Sequence, residues 1–349
     1  MSTASRYYAT VESVKSAVGI TGARYDALIA AYIESASQDV ENITDRNFIP
    51  VTATRYFRWP RKSGGRQTLY LEDQDVLAVT TLQSQAQDSS PVTIPAADFF
   101  LEPQASGPPY SRIEIDQSSS SSFASGATPQ RSIGVTGRWG YSEDTKPAGA
   151  LAEALDTSET GVDITNAALI GIGDTILVDS EAMFVSGRSL LTTGTTLNDT
   201  LTADLSDVTV TLASGAAVNV GEVITIDSER MLIEDIAGNN LTVQRAYDGS
   251  VLAAHTTGAT VYASRTLTVE RGVNGTTAAT HTISTAISKY QAPGDVRLYC
   301  LAKAILDLKQ GEAGWTGMIA GGEGAVQIRG ESVPQLRHQI IEQYGRVTV

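Results

Sequence analysis

Gly221-Glu222-Val223-Ile224-Thr225-Ile226-Asp227-Ser228-Glu229-Arg230-Met231 repeats the pattern of Gly173-Asp174-Thr175-Ile176-Leu177-Val178-Asp179-Ser180-Glu181-Ala182-Met183. A second pair follows. Leu241-Thr242-Val243-Gln244-Arg245, continued by Gly249 and His255, matches Leu267-Thr268-Val269-Glu270-Arg271, continued by Gly275 and His281. The order is front, front, back, back. It predicts one small β-domain, residues 191–264, nested in a sibling made of 156–190 and 265–288. Both interrupt a third domain made of 1–155 and 289–349. A repeat of this kind decides the architecture before any single motif does, and it points to a modular structural protein more than to an enzyme.

Each unit reads as short antiparallel strands. Ile224 and Ile226 alternate with Thr225 and Asp227, the period-two pattern of a half-buried strand. The Asp-Ser-Glu tripeptides read as hairpin turns, and Asp248-Gly249 and Asn274-Gly275 as turn formers.

Composition agrees. A chain of 349 residues exceeds the usual single core. Its 31 glycines and 6% aromatic content favour short strands and turns. The 39 acidic against 25 basic residues give a formal charge of −14, which argues against a broad basic groove for nucleic acid. An acidic wall would instead let DNA slide past. Cys300 is alone, so no intramolecular disulfide forms, and one Cys with three His builds no zinc cluster. No cofactor is expected. The chain opens with no signal-peptide pattern, and its apolar runs fall short of the roughly 18–20 residues that span a bilayer. We expect synthesis in a cytoplasm and no membrane partner.

Outside the repeats, residues 10–19 predict a short helix capped by Thr10 and ended by Gly19. Residues 22–42 predict a longer one, with Leu28, Ile29, Ile33, Ala36 and Val40 on an apolar stripe. After Pro50 the period changes to strands at 54–59, 68–71, 76–83, 99–102, 112–115 and 132–138, expected to form one sheet packed on the helices. Residues 118–122 are a run of serines and read as a loop. A buried helix is expected from Pro293 to Leu308, because its apolar residues occupy nearly all sides. A glycine-rich stretch at 311–324, a strand at 325–329 and an amphipathic helix at 334–344 close the chain. The fold class expected is α+β: a helical core with a small antiparallel sheet, plus inserted all-β repeat domains.

In this order the elements resemble tailed-bacteriophage head–tail adaptor (connector) proteins. The resemblance is carried by Leu28-Ile29, Ile33, Val40-Glu41-Asn42-Ile43-Thr44 and Arg46-Asn47-Phe48. It continues in the run 69–79, in Ile133-Gly134-Val135-Thr136-Gly137-Arg138-Trp139-Gly140-Tyr141, in Ala292-Pro293-Gly294-Asp295-Val296 and in Tyr344-Gly345-Arg346. It covers about 1–150 and 289–349. The family passes from its Gly-Tyr strand to its Pro helix by a short connection, and here the repeats lie between. The resemblance implies a virion protein at the capsid–tail vertex that forms a ring, usually a dodecamer, under the portal protein. Such a ring extends the DNA channel without sequence-specific binding and offers a platform to a stopper or tail protein. No catalysis is implied.

Several residues invite a chemical role. Asp179 and Glu181, with Asp227 and Glu229, either coordinate calcium, which wants six to eight oxygens, or form a polar turn twice. His255 and His281, equivalent in the two copies, read as structural more than as general bases. No phosphate loop or nucleophile elbow is present. Arg55, Arg58, Arg61, Lys62 and Arg66 interleave with Tyr56, Phe57 and Trp59. They suit either a solvated hairpin or a partner of opposite charge, such as an acidic neighbouring subunit, the portal or DNA phosphates. Trp315 is a candidate interface anchor, and Val326 and Ile328 could add a strand to a neighbour. Leu336, Ile340 and Tyr344 form one apolar face of the last helix. Two other functions fit the sequence: a glycan-binding virion surface protein using Phe184, Tyr247 and Tyr262, or a head–tail stopper.

Overall fold

The computed structural model describes residues 6–60, 68–72, 74–312, 318–319, 326–327 and 332–346. More of the chain is strand than helix, and the sheets are antiparallel. No helix among the described residues is long and apolar enough to cross a membrane.

The first helix, α1 (Val11–Val18), is capped as expected. Thr10 Oγ1 accepts the Ser13 N–H at 3.2 Å, Ser13 Oγ accepts the Thr10 N–H at 3.1 Å, and Gly19 ends the helix at φ +67°. The second, α2 (Asp26–Thr44), starts later than the periodicity suggests. The reason lies at Gly22, which sits at φ +73° with its N–H on Asp248 of the distant repeat region. Leu28, on the expected stripe, is exposed, whereas Ile29, Ile33, Ala36 and Val40 are fully buried.

Seven strands follow: β1 (Val51–Phe57), β2 (Thr68–Tyr70), β3 (Val76–Ser84), β4 (Val92–Ile94), β5 (Phe99–Glu102), β6 (Arg112–Ile115) and β7 (Ile133–Trp139). They make two sheets, β1-β7-β3-β4 and β2-β6-β5, where one was expected. The two sheets share a core of Phe57, Leu69, Leu71, Val76, Leu82, Ile113, Val135 and Trp139. The period-two pattern tells which side of a strand is buried, not which neighbour it pairs with.

The repeat region contains β8 (Thr145–Ala150), β9 (Gly161–Asp163), β10 (Thr175–Val178), β11 (Glu181–Thr196), β12 (Thr209–Thr211), β13 (Val223–Ile226), β14 (Glu229–Ala237), β15 (Asn240–Gln244), β16 (Thr260–Glu270) and β17 (Ala286–Tyr290). Their pairings close into two six-stranded barrels. The outer runs β8-β17-β10-β11-β16-β9 and returns through the Leu151–Ile164 bridge. The inner runs β11-β16-β13-β14-β15-β12 and returns through Leu197–Leu212. The long strands β11 and β16 belong to both, and their pairing slips near Val185/Gly187 and Ser189/Leu191 where they cross from one barrel to the other. Each barrel has its own core: Val162, Ile176, Met183, Val269 and Ile287 in the outer, Val210, Ile224, Met231, Val243 and Val261 in the inner. The outer core also takes in Ala148, Leu151 and Leu155, so it begins before residue 156.

The chain ends with α3 (Gly294–Glu312), a two-strand ladder of β18 (Met318–Ile319) and β19 (Val326–Gln327), and α4 (Ser332–Tyr344). Val296, Tyr299 and Cys300 of α3 and Val333, Ile340 and Tyr344 of α4 pack with Ala36, Val40, Phe48 and Ile49. The two ends of the chain therefore share one core, and burial there pushes the Cys300 thiol up to about 12.

Candidate partner interfaces

The repeated motif builds a buried clasp in each barrel. In the inner one, Arg245 forks onto Glu229 with Nε at 2.7 Å and Nη2 at 2.9 Å. Glu229 also accepts the N–H groups of Ala246 (2.9 Å) and Ala253 (3.0 Å), and lies 2.9 Å from His255 Nε2. The other ring nitrogen lies 2.7 Å from Asp227. The outer barrel repeats this: Arg271 to Glu181 at 2.6 and 2.8 Å, Gly272 and Ala279 N–H on Glu181 at 3.1 and 2.9 Å, and His281 between Glu181 (2.9 Å) and Asp179 (2.8 Å). Burial alone would push the carboxyls of Glu181 and Glu229 up. The arginine in each barrel, with the histidine and the backbone N–H groups, outweighs that and holds each down to about 2. The arginines reach further, to carbonyls of Thr202, Asp207 and Ala253 in one barrel and of Asp156, Glu159 and Ala279 in the other. Both oxygens of each glutamate are committed to these bonds, so the arrangement ties three loops to a strand end. The structural readings of the Asp-Ser-Glu turns and of His255 and His281 account for this geometry.

The barrels dock on the N-terminal segment through defined contacts. Ile172 accepts the Val11 N–H at 3.0 Å and gives its own N–H to Glu12 at 2.8 Å, while Tyr7 meets Phe184 edge-on at 5.1 Å. Asp248 and Asn274 occupy the same turn in the two barrels, at φ 50° and 54°. Asp248 accepts the Gly22 N–H and pairs with Lys15 at 3.5 Å, and Asn274 accepts the Thr52 N–H at 2.8 Å.

The basic run after Pro50 divides. Arg55 lies over the Trp139 ring at 4.5 Å and donates to Gln74 at 2.7 Å. With Arg46 and Arg346 it lines a polar cleft of about 390 Å³ around Asp75. Tyr56 and Arg58 are exposed. Arg61, Lys62, Arg66, Trp315 and Ile328 lie outside the described residues, and Val326 stands opposite Ile319 in the β18–β19 ladder. Leu336 is half-buried, and Ile340 and Tyr344 are buried in the core between α2 and α3, so that face of α4 is occupied within the chain. Tyr344 donates to Asp295 at 2.9 Å.

The segment that receives both barrels and supplies α1, α2 and β1–β3 can be placed. Residues 8–87 match the phage gp6-like head-tail connector protein family. The resemblance read in the sequence is thereby supported over the N-terminal quarter of the chain, and that family is a structural one. Among curated proteins and solved structures, nothing matches this chain.

Proposed function

We propose that the chain is a head–tail connector that assembles as a ring under the portal protein, extends the DNA channel and carries the stopper or tail protein. The observation that carries this reading is the shared core. The matched segment 8–87 contributes Tyr8, Ala36, Val40, Phe48 and Ile49, and α3 and α4 complete it from the other end of the chain. The element order expected of a connector thus corresponds to one packed unit. The mechanism is assembly by surface complementarity, with DNA passing through an acidic protein that offers phosphates little to hold. On this reading the barrels are an insertion in the connector, the inner one inserted in turn into the outer. Light scattering of the purified chain, alone and mixed with its cognate portal, tests the proposal: a ring-sized mass bound to the portal supports it, and a monomer that ignores the portal overturns it.

A further inference from the structure

Three exposed apolar side chains lie on the loops that Arg245 ties together in the inner barrel: Leu205 (62% exposed), Val208 (37%) and Val251 (77%). The Arg245 guanidinium holds the carbonyls of Thr202, Asp207 and Ala253. The outer barrel builds the same end around Arg271, with a loop two residues shorter between Leu155 and Glu159 than between Leu201 and Asp207, so the two loops are matched backward from Asp207 and Glu159. Asp204 caps Ser206 as Asp156 caps Ser158, which sets Leu205 against Thr157. Asp207 and Glu159 give equivalent carbonyls to the two arginines, which sets Val208 against Thr160. Val251 and Thr277 stand at the same distance before His255 and His281. All three threonines are exposed. The scaffold therefore accepts a polar residue at each position, and the inner barrel departs from it three times on these tied loops. Clustered exposed apolar residues of this kind mark interaction surfaces.

The rim identifies the occupant. Asp204 and Asp207 flank Leu205 and Val208 in the chain, Asp227 holds the ring of His255 four residues after Val251, and residues 191–264 contain nine Asp and Glu against two Arg, a net −7 that is half of the chain's −14. Two such ends placed face to face would set carboxylate against carboxylate, so the patch is not its own partner. The opposite composition lies at 46–71, where six cations occur with no acid. Of these, Arg46 and Arg55 are turned onto Tyr141 and Trp139, whereas Arg58 is exposed beside Tyr56, itself 49% exposed. An apolar ring beside a cation complements an apolar patch beside carboxylates. Within one chain both remain exposed, since the inner barrel is held at Lys15 and Gly22 and β1 is met by Asn274 of the outer barrel.

We propose that the Leu205–Val208–Val251 end of the inner barrel docks on the Tyr56–Arg58 end of β1 in a second copy of the chain. The contact joins two different surfaces, so it is heterologous and propagates from copy to copy, as a ring requires. It rests on the ring reading above and specifies which surfaces close it.

The test uses the sibling barrel's own residues. The L205T/V208T/V251T variant should fold as the wild type does, because threonine occupies those places in the outer barrel. Sedimentation should show its self-association, alone or on the portal, weakened at least tenfold, and R58E should weaken it too. Chains carrying Val251→Cys mixed with chains carrying Tyr56→Cys should give a cross-linked pair with a short bis-maleimide, and neither variant alone should. Cys300 is buried and should not react. A triple variant that assembles like the wild type, or assemblies that yield no mixed cross-link, would overturn the proposal and leave the ring reading standing. Loss of portal binding with self-association intact would overturn it in favour of the portal as occupant. A wild-type chain that stays monomeric both alone and with the portal would sink both readings.

Discussion

Gln291 donates its N–H to the carbonyl of Asp144 at 2.9 Å, and with that bond the whole barrel region leaves and re-enters the rest of the chain at one point. The pairing of β8 with β17, Thr145 opposite Tyr290, extends the same junction. Ser189 opposite Thr266 and Leu191 opposite Ala263 do the same for the inner barrel on the outer one. Adjacent entry and exit is the geometry that lets a domain be inserted without disturbing its host.

Replacing residues 145–290 by a short Gly-Ser link should therefore leave a folded helical core. Circular dichroism should retain the helical signal with a cooperative melt. The melting temperature should fall, because Val11 and Glu12 lose Ile172 and Tyr7 loses Phe184. A truncated chain with no cooperative transition would contradict the insertion reading.

The clasps should be costly to break and nearly free to trim. Glu229→Ala leaves the Arg245 guanidinium and His255 buried without their carboxylate and should cost about 3–5 kcal/mol. Asp227, whose side chain is 64% exposed, contributes as a surface partner does, so Asp227→Asn should cost less than about 1 kcal/mol. Chemical denaturation of the two variants checks the contrast, and equal losses would contradict it.

Acid should open the barrels late. Glu181 and Glu229 are held down to about 2 from the ordinary 4.5. The unfolded state therefore takes up protons first as pH falls, and the stability these groups supply is complete above about 4.5 and lost between there and about 2. Thermal melts from pH 6 to pH 2 should show the loss in that window. A flat profile across it would mean the carboxylates are not held as described.

Gly275 should resist substitution more than Gly249, although both sit at φ near +75°. A Cβ at 275 would lie 1.9 Å from the Thr52 carbonyl oxygen, which is backbone, whereas at 249 the nearest atom is the Thr21 hydroxyl at 3.1 Å. Both substitutions carry a left-handed penalty of about 1–2 kcal/mol. Gly275→Ala should add separation of the outer barrel from β1, seen as faster amide exchange at Thr52.

The sequence revealed the repeat because its chemistry is written in side chains: Asp227, Glu229, Arg245 and His255 recur as Asp179, Glu181, Arg271 and His281. The start of the outer barrel was written too, since Leu151 and Leu155 stand to Ile164 and His281 as Leu197 and Leu201 stand to Leu212 and His255, but two leucines are a faint signal beside a charged quartet. The split into two N-terminal sheets was hidden, because alternation marks a buried side and says nothing of pairing partner. Ile340 and Tyr344 show the same limit. An amphipathic stripe looks alike whether its apolar face meets a partner or its own core. The Leu205–Val208–Val251 patch emerges once the two barrels are set side by side, since singly each residue is an ordinary surface position.

The proposed role, a connector ring capping a portal, can be seen directly. Electron micrographs of the cognate portal, with and without the chain, test it most directly. A connector adds a ring coaxial with the portal, with the barrels seen as extra density on each copy. A portal whose tube is unchanged at saturating chain would contradict it.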